Sequence, residues 1–146
     1  AKFEFCTPGG TYTFTCAELP SRSIGKANVD FQMSALGPFL TETIVVYESK
    51  KDARDALADL ADAASNCVEW TDEDGITYTL LPLSFPKLGD ETFSIRTLGN
   101  FEADMVYIRE GNVIISVLNL AFPAGIDSVL TEEIATLAIQ RFEEKN

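Results

Sequence analysis

Two arginines are the side chains best suited by type and placement to ligand chemistry. Basic residues are scarce, 11 Lys and Arg against 23 Asp and Glu, for a formal net charge of −12. Arg96 and Arg109 both fall on or at the end of β-patterned runs in the second half of the chain. There they can converge on an anion in a cleft; the competing reading pairs each with a neighbouring acid. Asp90-Glu91 offers two carboxyls side by side, but adjacent residues of a strand point to opposite faces and do not share a proton. Asp72-Glu73-Asp74-Gly75 has a calcium-like composition without the ligand spacing or closing glutamate of an EF-hand loop, and reads as a hairpin turn. Asp52, Asp55, Asp59 and Asp62 mark an acidic helix face that lacks the histidines of a di-iron site. Trp70 and Tyr78 sit on opposite arms of one hairpin, where they either line an apolar pocket or pack across the strands.

The absence of histidine removes far more chemistry than the residues present suggest. Ser-His-Asp and Cys-His mechanisms, the usual zinc ligand sets and the commonest general base all go with it. No Gly-x-Ser-x-Gly elbow and no glycine-rich phosphate loop is present. A hydrolase working through carboxylates alone needs two facing carboxyl groups, which the sequence does not reveal. The expectation is a non-catalytic protein without metal or cofactor. The acidic balance argues against nucleic acid as a partner and against electrostatic docking on anionic lipid.

Three cysteines, Cys6, Cys16 and Cys67, form no Cys-x-x-Cys pair. Either all three are free thiols in a reducing compartment, or a secreted protein carries one disulfide and a leftover thiol. Lys2–Cys6 and Thr11–Thr15 read as a hairpin about Pro8-Gly9-Gly10, with Cys6 facing Thr11 and Cys16 beyond the far end. That makes a Cys6–Cys16 bond awkward, because bridged Cα atoms must come within about 7 Å. The preferred pair is Cys16–Cys67.

The elements that must position these residues are read from periodicity. Asn28–Ser34 alternates strictly, with Val29, Phe31 and Met33 on one face; Phe39–Tyr47 is β-branched at its centre, and the two strands form an antiparallel pair. Ser49 opens a helix with Ala53, Ala56, Leu57, Leu60, Ala64 and Cys67 on its inner stripe. Val68–Trp70 and Ile76–Leu81 form a hairpin, Thr92–Thr97 is a strand, and Ala103–Arg109 and Asn112–Leu120 form a second long hairpin. Thr131 caps a final helix whose inner stripe is Ile134, Leu137, Ala138 and Phe142. With 146 residues and 46% hydrophobic composition, residues 1–146 make one domain with a core of its own. The expected fold is α+β, a mostly antiparallel sheet with two main helices packed on one face.

Ile44-Val45-Val46-Tyr47-Glu48-Ser49, the alanine-rich helix ending at Cys67, Leu88-Gly89-Asp90-Glu91, Arg109-Glu110-Gly111-Asn112-Val113 and the helix after Leu130-Thr131 occur in an order and spacing that resemble the PknH-like extracellular sensor domain family. That family comprises outer domains of actinobacterial transmembrane kinases together with stand-alone secreted proteins and lipoproteins. The resemblance spans the chain from about Val29 onward. It implies an antiparallel sheet flanked by helices, outside the cell membrane, with a cleft for a small ligand and no catalysis. Family members often carry two disulfides, whereas three cysteines allow one intramolecular pair at most. The resulting expectation is a secreted or membrane-anchored sensor domain that holds a small molecule or lipid in a cleft, with Arg96 and Arg109 as ligand contacts. A chain starting at Ala1 is expected to be a processed or trimmed form, with any anchor upstream. The alternative is a protein-interaction domain using a sheet edge or the acidic helix face.

Overall fold

The computed structural model of the chain describes residues 2–7, 10–15, 23–32, 34–35, 37–66, 68–71, 74–122 and 125–146, with 2–7, 10–15 and 70 described by their backbone. Among the described residues, nine strands and two helices run in the order β1 (Lys2–Thr7), β2 (Gly10–Thr15), β3 (Ser23–Gln32), β4 (Phe39–Tyr47), α1 (Lys50–Ser65), β5 (Glu69–Thr71), β6 (Thr77–Pro82), β7 (Glu91–Leu98), β8 (Glu102–Glu110), β9 (Val113–Ala121) and α2 (Ser128–Lys145). β1 and β2 pair with each other, Cys6 opposite Thr11 as expected. The other seven strands form one antiparallel sheet in the order β3-β4-β9-β8-β7-β6-β5. Each hairpin read from turn chemistry is present, and the α+β class with a mostly antiparallel sheet holds. Within the large sheet, α1 carries the chain from β4 to the far edge at β5. The later strands then fill the gap, closing with β9 beside β4.

The two helices do not share a face, contrary to the layout expected from sequence. Cross-strand register assigns Val45, Ile114, Tyr107, Met105 and Ile95 to one side of the sheet and Ile44, Val46, Ile115, Val117, Val106 and Ile108 to the other. α1 covers the first set with Ala53, Ala56, Leu57, Leu60 and Ala64. α2 covers the second with Ala135, Ala138 and Ile139. An inner stripe tells that a helix buries a face but not which side of a sheet it meets. The sign was in the central strands, which are apolar on both sides, as a doubly covered sheet requires.

α1 begins where expected: Ser49 is the N-cap, its Oγ accepting from the Asp52 N–H at 3.1 Å. α2 begins earlier than expected. Asp127 is its N-cap, accepting from the Val129 N–H at 3.0 Å. Thr131 is therefore a helical residue and is fully buried. Leu137, expected on the inner stripe, is 48% exposed. The buried stripe runs Thr131, Ala135, Ala138 and Ile139, which turns Leu137 toward solvent. β3 is longer at its start than the alternation suggested, and all ten of its residues are exposed.

Trp70 stands opposite Tyr78 in the β5–β6 pair. Tyr78 is buried, donates its hydroxyl to Asn100 Oδ1 at 3.0 Å, and packs against Phe101 with ring centroids 5.2 Å apart. Gly99 lies directly beneath this ring, and a Cβ there would fall 2.4 Å from Tyr78 Cδ1. Gly99→Ala is expected to displace the ring and to destabilise the fold by about 1–3 kcal/mol. Denaturant unfolding checks this, and an unchanged midpoint would show that Tyr78 moves without penalty.

Candidate functional site

Arg96 and Arg109 lie on different strands and on opposite faces of the sheet, so they do not converge on one anion. Arg96 is opposite Asp104, on the α2 side, whereas Arg109 is opposite Glu91 and Ile114, on the α1 side. Glu91 and Arg96 are five positions apart on β7, an odd offset, so their side chains leave the strand in opposite directions.

Arg109 closes a small cluster at the β8–β9 turn. Its Nε donates to Glu91 Oε2 at 2.9 Å, and its Nη1 donates to Asp90 Oδ2 at 3.0 Å and to the Gly111 carbonyl at 2.9 Å. Asp90 Oδ2 also accepts the Gly111 N–H at 2.9 Å. The expectation that Asp90 and Glu91 point apart is thus corrected, since both reach the same guanidinium. Asp90 precedes β7 in a bend, where strand alternation does not govern direction. Gly89 makes that bend possible. It has φ +60°, and a Cβ on it would stand 2.7 Å from the Arg109 carbonyl oxygen.

Arg96 belongs to a partly buried polar network. Its Nε and Nη2 donate to the two Asp104 oxygens at 2.6 and 2.9 Å, and Nη2 also donates to Ser128 Oγ. Asp104 is fully buried and accepts in addition from Thr131 Oγ1 at 3.2 Å. Asn119, buried on β9, donates to that same Thr131 Oγ1 at 3.0 Å. The network joins β7, β8 and β9 to the first turn of α2. Hydrogen bonding to Asp104 pushes the Arg96 guanidinium up from its ordinary value and keeps it charged.

Two carboxylates are held in their ionised form by backbone donors. The Gly111 N–H lowers the Asp90 pKa from its ordinary value; desolvation opposes this and Arg109 reinforces it. The Ile126 and Gly125 N–H groups, 3.0 and 2.9 Å from Glu102 Oε2, lower the Glu102 pKa and tie down the approach to α2. Folded pKa values below the unfolded ones give stability that is present above about pH 4 and is lost as pH falls through the lowered folded values. The thermal midpoint is therefore expected to fall on acidification below about pH 4, and Asp90→Asn combined with Glu102→Gln to flatten that fall. An acid profile unchanged by the double substitution would contradict this assignment.

On the α1 side, at the β3 end of the sheet, small polar residues replace apolar ones beyond the cover of the helix. One cross-strand row there reads Asn28, Thr43, Ser116, Tyr107 and Phe93; the next reads Asp30, Thr41, Leu118, Met105 and Ile95. α1 sits over the apolar end of both rows. At the β3 end a cleft of about 150 Å³ is lined by Lys26, Asn28, Asp30, Thr41, Thr43 and Ser116 over a floor of Met105, Tyr107 and Leu118. Thr41 Oγ1 donates to Asp30 Oδ1 at 2.7 Å, which fixes one wall. The arrangement can hydrogen-bond a small molecule at its rim and pack an apolar face against the floor. None of these residues was singled out from sequence. The available signal was Thr41 and Thr43 two apart on a strand, with Ser116 breaking the apolar face of β9.

Cys16, Cys67, Asp72 and Glu73 lie outside the described residues, so the expected Cys16–Cys67 bond and part of the acidic turn fall there. Among the described residues, no group of three His, Cys, Asp or Glu side chains is placed to hold a metal ion. No described helix is long and apolar enough to cross a membrane.

No family model matches the chain, and no curated protein matches it. Among solved structures it is similar to the extracellular domain of PknH from Mycobacterium tuberculosis, with a TM-score of 0.66 and 14% identity over 88% of this chain and 68% of that one. At that identity the likeness shows a shared fold.

Proposed function

We propose that this chain is a non-catalytic, extracellular or envelope-held sensor-like domain that binds a small polyhydroxylated molecule in the cleft on its α1 side. One observation carries the reading. A sheet face that is apolar where the helix covers it becomes polar and open at its β3 end, with hydroxyl and amide groups around an apolar floor. Such a mixture suits a ligand with hydroxyls at its edge and C–H groups on its face. Likeness to the fold of an extracellular domain supports the location, and the absence of histidine supports the lack of catalysis.

Thermal-shift and calorimetric titration against monosaccharides and polyols tests this. A ligand at a hundred times its dissociation constant is expected to add about 2.7 kcal/mol of stability. Thr43→Val combined with Ser116→Ala removes two hydroxyls and is expected to weaken binding by about tenfold or more, with little change in the fold. Arg96 and Arg109, each taken alone as a ligand contact, make the competing sites, one on each face of the sheet. Arg109→Met is expected to lower stability and to leave affinity unchanged; affinity lost in Arg109→Met and kept in the hydroxyl variant would move the site to Arg109. A fatty acid belongs in the panel, because Val29, Phe31, Leu40, Ile134 and Leu137 line an apolar groove on the α2 side with Arg141 at its margin. Should no small molecule bind, the protein-interaction reading takes precedence.

A further inference from the structure

We propose that β3 is a self-recognition edge through which two copies of this chain pair antiparallel, about a two-fold axis at Asn28. β3 is the terminal strand of the large sheet, it pairs only with β4 among the described residues, and all ten of its residues are exposed. Its outer row of backbone N–H and C=O groups is available to another strand, which is an open invitation unless side chains oppose it.

The side chains of β3 favour a second copy of the same strand. With Asn28 opposite Asn28, each step away from the axis meets the same step on the other strand taken in the opposite direction. On the cleft side, Lys26 of each copy then faces Asp30 of the other, giving two symmetric ion pairs. Lys26 makes no ion pair among the described residues, and Asp30 Oδ1 is occupied by Thr41, leaving its second oxygen to the incoming ammonium. On the opposite side Ala27 meets Val29 twice, and Gly25 meets Phe31 twice. Val29 and Phe31 are 43% and 57% exposed, and the space above Gly25 is open. An aromatic ring lying over a facing glycine is a known way of completing a strand pair.

Other registers lose this match. Centring on Asp30 or on Lys26 sets like charges directly opposite, which is unfavourable. Centring on Val29 leaves Lys26 against Gln32 and Asp30 against Asn28, with no ion pair. A slip by one residue turns every side chain to the wrong face.

Pairing would make one continuous sheet of both copies. It would also bring the two clefts together across the seam, since Lys26, Asn28 and Asp30 line each cleft. The pairing itself does not require that either cleft bind a ligand. An edge-to-edge contact is small, and two copies each carrying a charge of −12 repel at long range. The dimer is therefore weak and dissociates on dilution at physiological ionic strength.

Sedimentation velocity on the full chain over a wide concentration series tests the proposal. The parent is expected to dimerise reversibly, and Lys26→Asp and Asp30→Lys, each alone, to associate at least about tenfold more weakly because both symmetric pairs become repulsive. An equimolar mixture of the two variants is expected to form a heterodimer, because each strand then carries the charges the other lacks. Circular dichroism melts of the variants confirm that they are folded. A parent monomeric at every concentration, single variants that dimerise as the parent does, or a mixture that stays monomeric would each overturn the inference.

Discussion

Arg96→Met is expected to cost about 3–5 kcal/mol of stability, and Asp104→Asn about 1.5–3 kcal/mol. The asymmetry follows from where each partner sits. Asp104 is fully buried, whereas the Arg96 side chain keeps 25% of its exposure. Removing the guanidinium leaves a carboxylate inside the protein with only Thr131 and Ser128 hydroxyls to receive. An unpaired charge there is poorly solvated, which is costly. Removing the negative charge leaves an arginine that water can still reach, and the asparagine oxygen still accepts one of its hydrogen bonds. Chemical denaturation of both variants at neutral pH decides the matter. Equal losses would mean that Asp104 is reached by solvent in the folded state. The same pair of variants separates framework from recognition, since the network fastens α2 to β7, β8 and β9 on the face away from the cleft.

The local elements were legible because each is written in short-range chemistry. β4 announces itself by the run Thr43-Ile44-Val45-Val46. α1 does so by the Ser49 cap and the alanine stripe, and the β8–β9 hairpin by Gly111, which has φ +60° in the turn. What was not legible depends on pairing across distance. Thr131 looks like a cap because threonine favours that position, yet Asp127 takes the role and Thr131 turns inward to Asp104. Asp104 and Asn119 each sit in the middle of an apolar strand, where a single polar residue signals a buried partner without naming it. Arg96 and Arg109 stand out by the scarcity of basic residues, and scarcity says nothing about which face of a sheet an arginine occupies. The cleft was missed for a different reason. Its residues are ordinary strand threonines, a serine and the polar side of β3, and they become a site only when β3, β4 and β9 lie side by side. The pattern on β3 is period two, but alternation does not tell whether the apolar side is covered, and here Val29 and Phe31 remain exposed.

Leu60→Ala beneath α1 is expected to cost about 2–5 kcal/mol, Ile139→Val beneath α2 about 0.5–1.5 kcal/mol, and the double variant their sum to within about 0.5 kcal/mol. Leu60 is 1% exposed and contributes to the core formed with Val45, Tyr47, Leu80, Ile95, Met105, Tyr107 and Ile114. Ile139 is 4% exposed and packs among Val106, Ile108, Val113, Ile115 and Val117. The two cores have no residue in common and are separated by the sheet, so a cavity opened on one side has no shared neighbour through which to relax into the other. Two helices lying together on one face would share neighbours, and their truncations would couple. Additivity is therefore a direct measurement of the two-sided architecture. A coupling energy well above about 0.5 kcal/mol would show that the sheet transmits strain between its faces. Met105 and Tyr107 belong to the α1 core and also form the floor of the cleft. Leu60→Ala is accordingly expected to loosen that floor and lower cleft affinity, while Ile139→Val leaves it unchanged, and titration of both variants with the same polyol reads the difference.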